Sequence, residues 1–360
     1  MTRPTQFTID LQALRENVST LSQMAGQRNI MAVVKADAYG HGVVACAETL
    51  SPMVDAFAVA ITEEAIELRQ AGIKLPILVM QGPHSPEDLE LMAKASLWPA
   101  ISSEHQIDWL EKSGANFDQV WIKFDTGMHR LGFMPNEITS ARARLSALAI
   151  EKTVLMSHLA DAETPDSFLT ARQLARWGDA STSLQELSFS NSASVTGQIT
   201  ANETWVRLGY SMYGGSLVAM PNGYALRPVM HFESRIVSVR QIDPGESVGY
   251  GGRWVANRPS RIATIPAGYG DGYPRAAKDG TPIGSEYGVI PLVGKVSMDM
   301  VTADITDVPE LEVGSEVTLW GGSPSIDEVA GYCDTIGYEL CTRITRRTPR
   351  QFHRVTVNQD

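Results

Sequence analysis

Short runs of branched and aromatic apolar residues recur through the first two-thirds of the chain. They stand at about residues 30–35, 56–61, 76–80, 97–101, 120–124, 153–157, 187–190 and 205–208. Each is a strand's length rather than a helix's, and each is apolar almost throughout, the pattern of a strand covered on both faces. Helical spacing fills most of the gaps. Asp10 precedes Leu11, Leu14, Val18 and Leu21 as an N-cap would, Glu63 to Gln70 is rich in helix formers, and Pro86 stands where a first helical residue is expected. Segments 135–149 and 165–177 continue the alternation. Eight strands alternating with helices predict a (β/α)8, TIM-like barrel over residues 1–230. An open doubly wound sheet fits the same alternation, but no G-x-G-x-x-G opens a first helix, which counts against its dinucleotide-binding form. After about residue 230 the texture changes. "HFESRIVSVRQI" alternates as one half-buried strand, and "VGYGGRW", "RIATIPAGYGDGYPR" and "GVIPLVGKVSMDMVTADI" follow as short runs broken by Gly and Pro. Only residues near 326–333 read as a helix, so residues 231–360 are expected to form a separate, mostly-β domain.

Composition changes this picture little. With 360 residues, 43% hydrophobic and 20% charged, the chain is of ordinary globular make-up and too long for one small core. A net charge of −11 argues against a nucleic-acid partner. The three cysteines, Cys46, Cys333 and Cys341, are odd in number and far apart, which indicates neither a disulfide framework nor a metal site and suits a reducing, cytoplasmic compartment. No apolar run reaches membrane length, and "MTRPTQFTID" has no apolar core of a signal peptide.

In a barrel the chemistry collects at the C-terminal ends of the strands. Lys35 ends the first run. "KFDTGMHRLG", with Lys123, Asp125 and Arg130, ends the fifth; Ser157 and His158 end the sixth; Asn191 and Ser192 end the seventh; Arg207, Gly209 and Tyr210 end the eighth. The small hydrogen-bonding residues after the last two strands suit a bound phosphate. A lysine facing such a cradle points to pyridoxal 5'-phosphate, whose aldehyde condenses with an amine. A Schiff-base aldolase would also want a barrel lysine.

The motifs "AVVKADAYGHG", "KFDTGMHRLGF", "SHLADAE", "SNSAS", "WVRLGYSMYG", "VGYGGRW", "AGYGDGYPR", "GKVSMDM" and "GYELCTRI" resemble, in order and spacing, those of bacterial alanine racemase from Lys35 to Arg343. The resemblance implies interconversion of L- and D-alanine, with D-alanine supplied for peptidoglycan. Lys35 would be the Schiff-base lysine and one of two bases, and Tyr269 the other, lent by the second protomer of a head-to-tail homodimer. His158 would orient Tyr269 and link it to Arg207, which would face the pyridine nitrogen. Tyr39, Asn191, Ser192, Gly209, Tyr210 and Tyr338 would hold the phosphate or wall the cofactor. Arg130 would contact the cofactor phenolate and, with Met298 and beside Asp299, the substrate carboxylate. Lys123 would be carbamylated. The chain departs from the family's usual pattern at Leu208, at Asp37, whose charge is expected to raise the Lys35 pKa, and at Tyr210, where an aliphatic residue is more usual. Tyr273, Tyr287 and Tyr338 are expected to crowd the pocket in favour of a methyl side chain. A non-catalytic pyridoxal-phosphate carrier, a related amino-acid decarboxylase and a broader amino-acid racemase are the alternatives; "GYGDGYPR" favours the racemase.

Overall fold

The chain begins with strand β1 (Gln6–Asp10), followed by a helix, Leu11–Ala25, that Asp10 caps by accepting from the Ala13 N–H at 2.9 Å. The eight apolar runs then form β2 (Asn29–Val33), β3 (Ala56–Val59), β4 (Ile77–Val79), β5 (Trp98–Ile101), β6 (Gln119–Lys123), β7 (Lys152–Met156), β8 (Leu187–Ser188) and β9 (Trp205–Leu208). All are parallel, and the sheet closes because β9 pairs with β2. This computed structural model describes residues 3–353 except 149, 151, 165, 182–185, 200 and 217. The barrel is lined to capacity: every residue of β3 and β4 is fully buried, as a sheet covered by helices outside and side chains inside requires. The indoles of Trp98, Trp121 and Trp205 pack 5.8–6.3 Å apart and fill the end where β5 and β9 begin. The opposite end, where the strands finish, is left for chemistry.

The second domain is built on a six-stranded sheet, with a three-stranded and a two-stranded sheet beside it. Three expectations change here. First, β1 lies in this six-stranded sheet and not with the barrel: Phe7 and Ile9 pair with Phe232 and Met230 in antiparallel register, and Arg350–His353 runs parallel on the other side. Residues 6–10 therefore pack with the second domain, where Phe7, Phe232, Trp320 and Tyr273 form one aromatic core. Second, "HFESRIVSVRQI" is two strands, Met230–Arg235 and Ser238–Ile242, in different sheets. The hand-over is at Ile236, whose N–H goes to Ser315, while the next N–H goes to Thr264. Third, a further helix, Gly337–Thr342, follows Ile326–Tyr332. Its six residues give no periodicity to read, but it carries Tyr338 to the barrel mouth. Among the described residues no helix is long and apolar enough to cross a membrane. All three cysteines are buried and unpaired.

Candidate active site

Lys35 opens a single left-handed helical turn. Ala36, Asp37, Ala38 and Tyr39 all have φ between +52 and +57°, a conformation that costs L-residues roughly 1–2 kcal/mol each. Surrounding groups hold the turn. Glu64 accepts from the Ala36 N–H at 2.6 Å, Asp37 accepts from the Val43 N–H and pairs with Arg350 at 2.8 Å, and Arg350 also binds the Gly40 carbonyl. His41 Nδ1 lies within 3.0 Å of the Ala38 and Tyr39 carbonyls, and its ring stacks on Tyr213. The strain has a use: the turn brings Lys35 and Tyr39 to one cavity four residues apart in sequence.

That cavity, about 470 Å3, is lined by Lys35, Tyr39, His158, Asn191, Ser192, Arg207, Gly209, Tyr210 and Tyr338. A second of about 260 Å3 adjoins it, sharing Lys35, Met80, His158 and Arg207 and adding Lys123 and Arg130. At one end Ser192 Oγ accepts the Gly209 N–H at 2.7 Å, and a Cβ at position 209 would stand 2.8 Å from the Tyr39 hydroxyl. The spot is thus a small pocket of backbone N–H and hydroxyl groups that a side chain would fill, which fits a phosphate ester. Asn191 acts more modestly, accepting from the Ser194 N–H at the start of the Ser192–Thr196 helix.

Arg207 sits at the centre, almost wholly buried. Its guanidinium donates to Ser188 Oγ and the Ser157 carbonyl at 2.6 Å each, and to His158 Nδ1 at 3.2 Å. Burial pushes its pKa down to about 10, still protonated at neutral pH. Arginine only donates, so His158 Nδ1 must accept and the imidazole proton resides on Nε2. Burial, then the charges of Arg207, Arg130, Lys123 and Lys35, hold His158 well below the usual histidine range and neutral. Burial and the nearby Arg130 lower the Lys35 pKa, and burial with Arg130, Arg207 and Lys35 lowers Lys123 to about 8. Four cationic side chains thus meet at one mouth, a setting for an anionic ligand.

Tyr269, Met298 and Asp299 line neither cavity of their own chain. They stand together elsewhere: the Tyr269 N–H binds the Ser297 carbonyl, and Arg347 donates to the Met298 carbonyl and, at 2.6 Å, to Asp299. Beneath them Asp271, with its side chain fully buried, receives both Arg3 and Arg347 and the Thr348 hydroxyl. Tyr269, Met298 and Met300 remain 38%, 52% and 45% exposed.

A family model for the alanine racemase N-terminal domain matches residues 9–217, and one for the alanine racemase C-terminal domain matches residues 229–352. The chain belongs to the alanine racemase family. An alanine racemase from Chromohalobacter salexigens is 44% identical over 98% of each chain. A Pseudomonas putida relative named as a catabolic alanine racemase is 42% identical over 97% of this chain and 99% of its own. The crystal structure of a biosynthetic alanine racemase from Pseudomonas aeruginosa superimposes with a TM-score of 0.93 at 38% identity, covering 98% of this chain and all of that one.

Within this alanine racemase fold several expectations are revised. Asp37 does not raise Lys35: its carboxylate is engaged by Arg350 and the Val43 N–H, and the one anion acting upward on Lys35 is Glu64. Tyr273 is buried against Trp320 and so does not reach the cavity, Tyr338 walls it, and Tyr287 is half exposed and lines neither cavity of its own chain. Asp125 shapes its loop, accepting three successive N–H groups from Gly127, Met128 and His129. Residues to which the motif reading gave no role also matter. Buried Gln173 donates to Thr126 and the His158 carbonyl and accepts from the Ala160 N–H, fixing the end of β7; its sequence context is an ordinary helix. Asp271 carried a signal, a carboxylate flanked by glycines inside an apolar segment.

Burial works to raise the Asp271 pKa, but the hydrogen bonds from Arg3, Arg347, Thr348 and the Gly268 N–H outweigh it and hold the carboxyl well below its usual range. The depressed value stabilises the fold above the unfolded carboxyl pKa, near 4, and the contribution is lost as pH falls below it. Asp271→Asn is expected to cost about 2–3 kcal/mol at pH 7, less than a wholly buried pair because Arg3 and Arg347 keep 32% and 39% of their side-chain surface. Urea unfolding of parent and variant should show this gap at pH 7 and its narrowing below about pH 4.

Proposed function

We propose that the chain is a pyridoxal-phosphate-dependent alanine racemase that works as a homodimer in the cytoplasm, its D-alanine serving peptidoglycan assembly. The residues present fit the cofactor: Lys35 for its aldehyde, Tyr39, Ser192, Gly209, Tyr210 and Tyr338 for the phosphate end, and Arg207 for the pyridine nitrogen. When bound, pyridoxal phosphate supplies delocalisation of the charge left on the substrate Cα. The protein supplies the protons. Racemisation needs removal from one face of Cα and return to the other, so two bases are required. Lys35, whose pKa burial and Arg130 lower, serves one face. Tyr269 of the partner subunit serves the other. A phenol is a weak base at neutral pH, and the Nε2–H of His158, left free by the Arg207 contact, stabilises its oxygen. Arg207, held protonated, would donate to the cofactor's ring nitrogen without transferring its proton, and would so limit how far charge leaves Cα. Arg130 faces the substrate carboxylate, with Met298 and Asp299 of the partner subunit beside it.

The observation that carries this reading is the buried Arg207–His158 contact on the wall of the Lys35 cavity. The test is incubation with L-alanine in deuterated water followed by chiral analysis. D-alanine carrying deuterium at Cα is expected. Carbon dioxide release, or recovery of unexchanged L-alanine, would contradict the proposal.

Lys123 belongs to the same proposal. Its amine, with a pKa of about 8 beside Arg130 and Arg207, is available at neutral pH to attack carbon dioxide. The N–C bond forms, the proton passes to water, and the carbamate anion pairs with Arg130. Lys123→Ala is expected to raise KM for alanine about tenfold, the worth of one charge-assisted contact. Carbon-13 NMR in labelled bicarbonate should give a carbamate signal that Lys123→Arg lacks; a parent without that signal would contradict the modification.

A further inference from the structure

Tyr210 follows Gly209 at the end of β9, and its whole side chain is engaged. The ring stacks on Tyr338 with centroids 3.9 Å apart and planes at 20°. The hydroxyl donates to Asp327 Oδ1 at 2.6 Å, and the other carboxylate oxygen receives the Ser216 N–H. Two glycines enclose it: a Cβ at position 215 would lie 2.0 Å from the ring, and one at position 337 would lie 1.7 Å from the hydroxyl. Tyr210 borders both the cavity of Lys35 and a second space of about 220 Å3 lined by His41, Tyr213, Asp327 and Cys341.

We propose that Tyr210 is a positioning residue, anchored by Asp327 of the second domain, that fixes Tyr338 and thereby the wall at the phosphate end of the cavity. Tyr338 itself sits on a six-residue helix, Gly337–Thr342, too short to hold its position by its own hydrogen bonds. The stack and the carboxylate supply what the helix lacks. They also join the barrel to the second domain, since Tyr210 belongs to the first and Asp327 and Tyr338 to the second. Without the hydrogen bond the phenol ring can leave the stack, Tyr338 regains side-chain freedom, and a ligand must order it on binding. The consequence for the cofactor rests on the function proposed above; the consequence for the helix does not.

The experiment compares the parent with Tyr210→Phe, Asp327→Ala and the double variant. The first measurement is amide hydrogen exchange over residues 337–342 in cofactor-free protein. Protection is expected to fall about tenfold in each single variant and no further in the double, because one bond is removed in all three. The second is titration with pyridoxal phosphate, followed by quenching of protein fluorescence, where Kd is expected to rise about tenfold with the same non-additivity. Asp327→Ala removes the acceptor and leaves the Tyr210 side chain unaltered, so it judges the hydrogen bond even where a Tyr210 variant folds poorly. Exchange within twofold of the parent in both single variants, or independent additive effects, would overturn the clamp. A parent that binds no pyridoxal phosphate would overturn the proposed function while leaving the exchange result to decide on Tyr210.

Discussion

Replacing Lys35 with alanine is expected to lower racemisation at least ten-thousandfold, the largest effect of any single change in the barrel. Two duties meet on this one amine. In the proposed function it would join the cofactor aldehyde and would act as the base for one face of the substrate. Proton transfer by a positioned base is worth about 10²–10⁴, and loss of the covalent anchor adds to that. The structure prepares the amine for both. Burial and Arg130 lower its pKa, and the left-handed turn that follows it is braced by Glu64, Asp37 and His41, so the backbone that carries the amine is held. Steady-state rates on L- and D-alanine, with the variant supplied with excess pyridoxal phosphate, measure the loss. Because both directions cross the same barrier, they should fall together. Residual activity above about one-hundredth of the parent's, below the worth of even a single positioned base, would show that another group carries one of these duties.

The barrel was readable because parallel strands covered on both faces leave continuous apolar runs, and the run at 30–35 is as plain in the sequence as β2 is in the fold. The polar mouth was readable for a related reason: strand ends carry the chemistry in this architecture, and Lys35, Lys123, His158 and Arg207 each lie there. What escaped was set by tertiary contact. β1 is five residues long, and only its partners at Met230–Arg235 and Arg350–His353 assign it to the second domain. Nothing in Ala36-Asp37-Ala38 favours a left-handed turn; the conformation is imposed by Glu64 and Arg350 from distant parts of the chain. The same holds for Arg3, Arg347 and Asp271, which come from three regions of sequence and meet under Tyr269. Tyr273 was misplaced because an aromatic residue near a motif reads the same whether it faces a ligand or, as here, Trp320.

The second large effect concerns the distance between Lys35 and Tyr269 within one chain. Tyr269, Met298 and Met300 form an exposed group held rigid by a buried ionic hub, and none of them lines a cavity with Lys35. An ordered, partly apolar surface with no role in its own chain's site is suited to another molecule. In a two-fold pair each chain would present this surface to the other, making two equal sites from parts of both. Lys35→Ala and Tyr269→Ala homodimers are then each nearly inactive, because every site lacks one base. In a mixed pair one site carries both defects and the other carries neither. The direct measurement is the racemase rate of the two variants after subunit exchange at equal concentrations. Composite sites predict recovery to about one-quarter of the parent's specific activity, since about half the pairs are mixed and each holds one intact site in two. A rate no higher than the average of the two variants measured apart would contradict a site shared between chains.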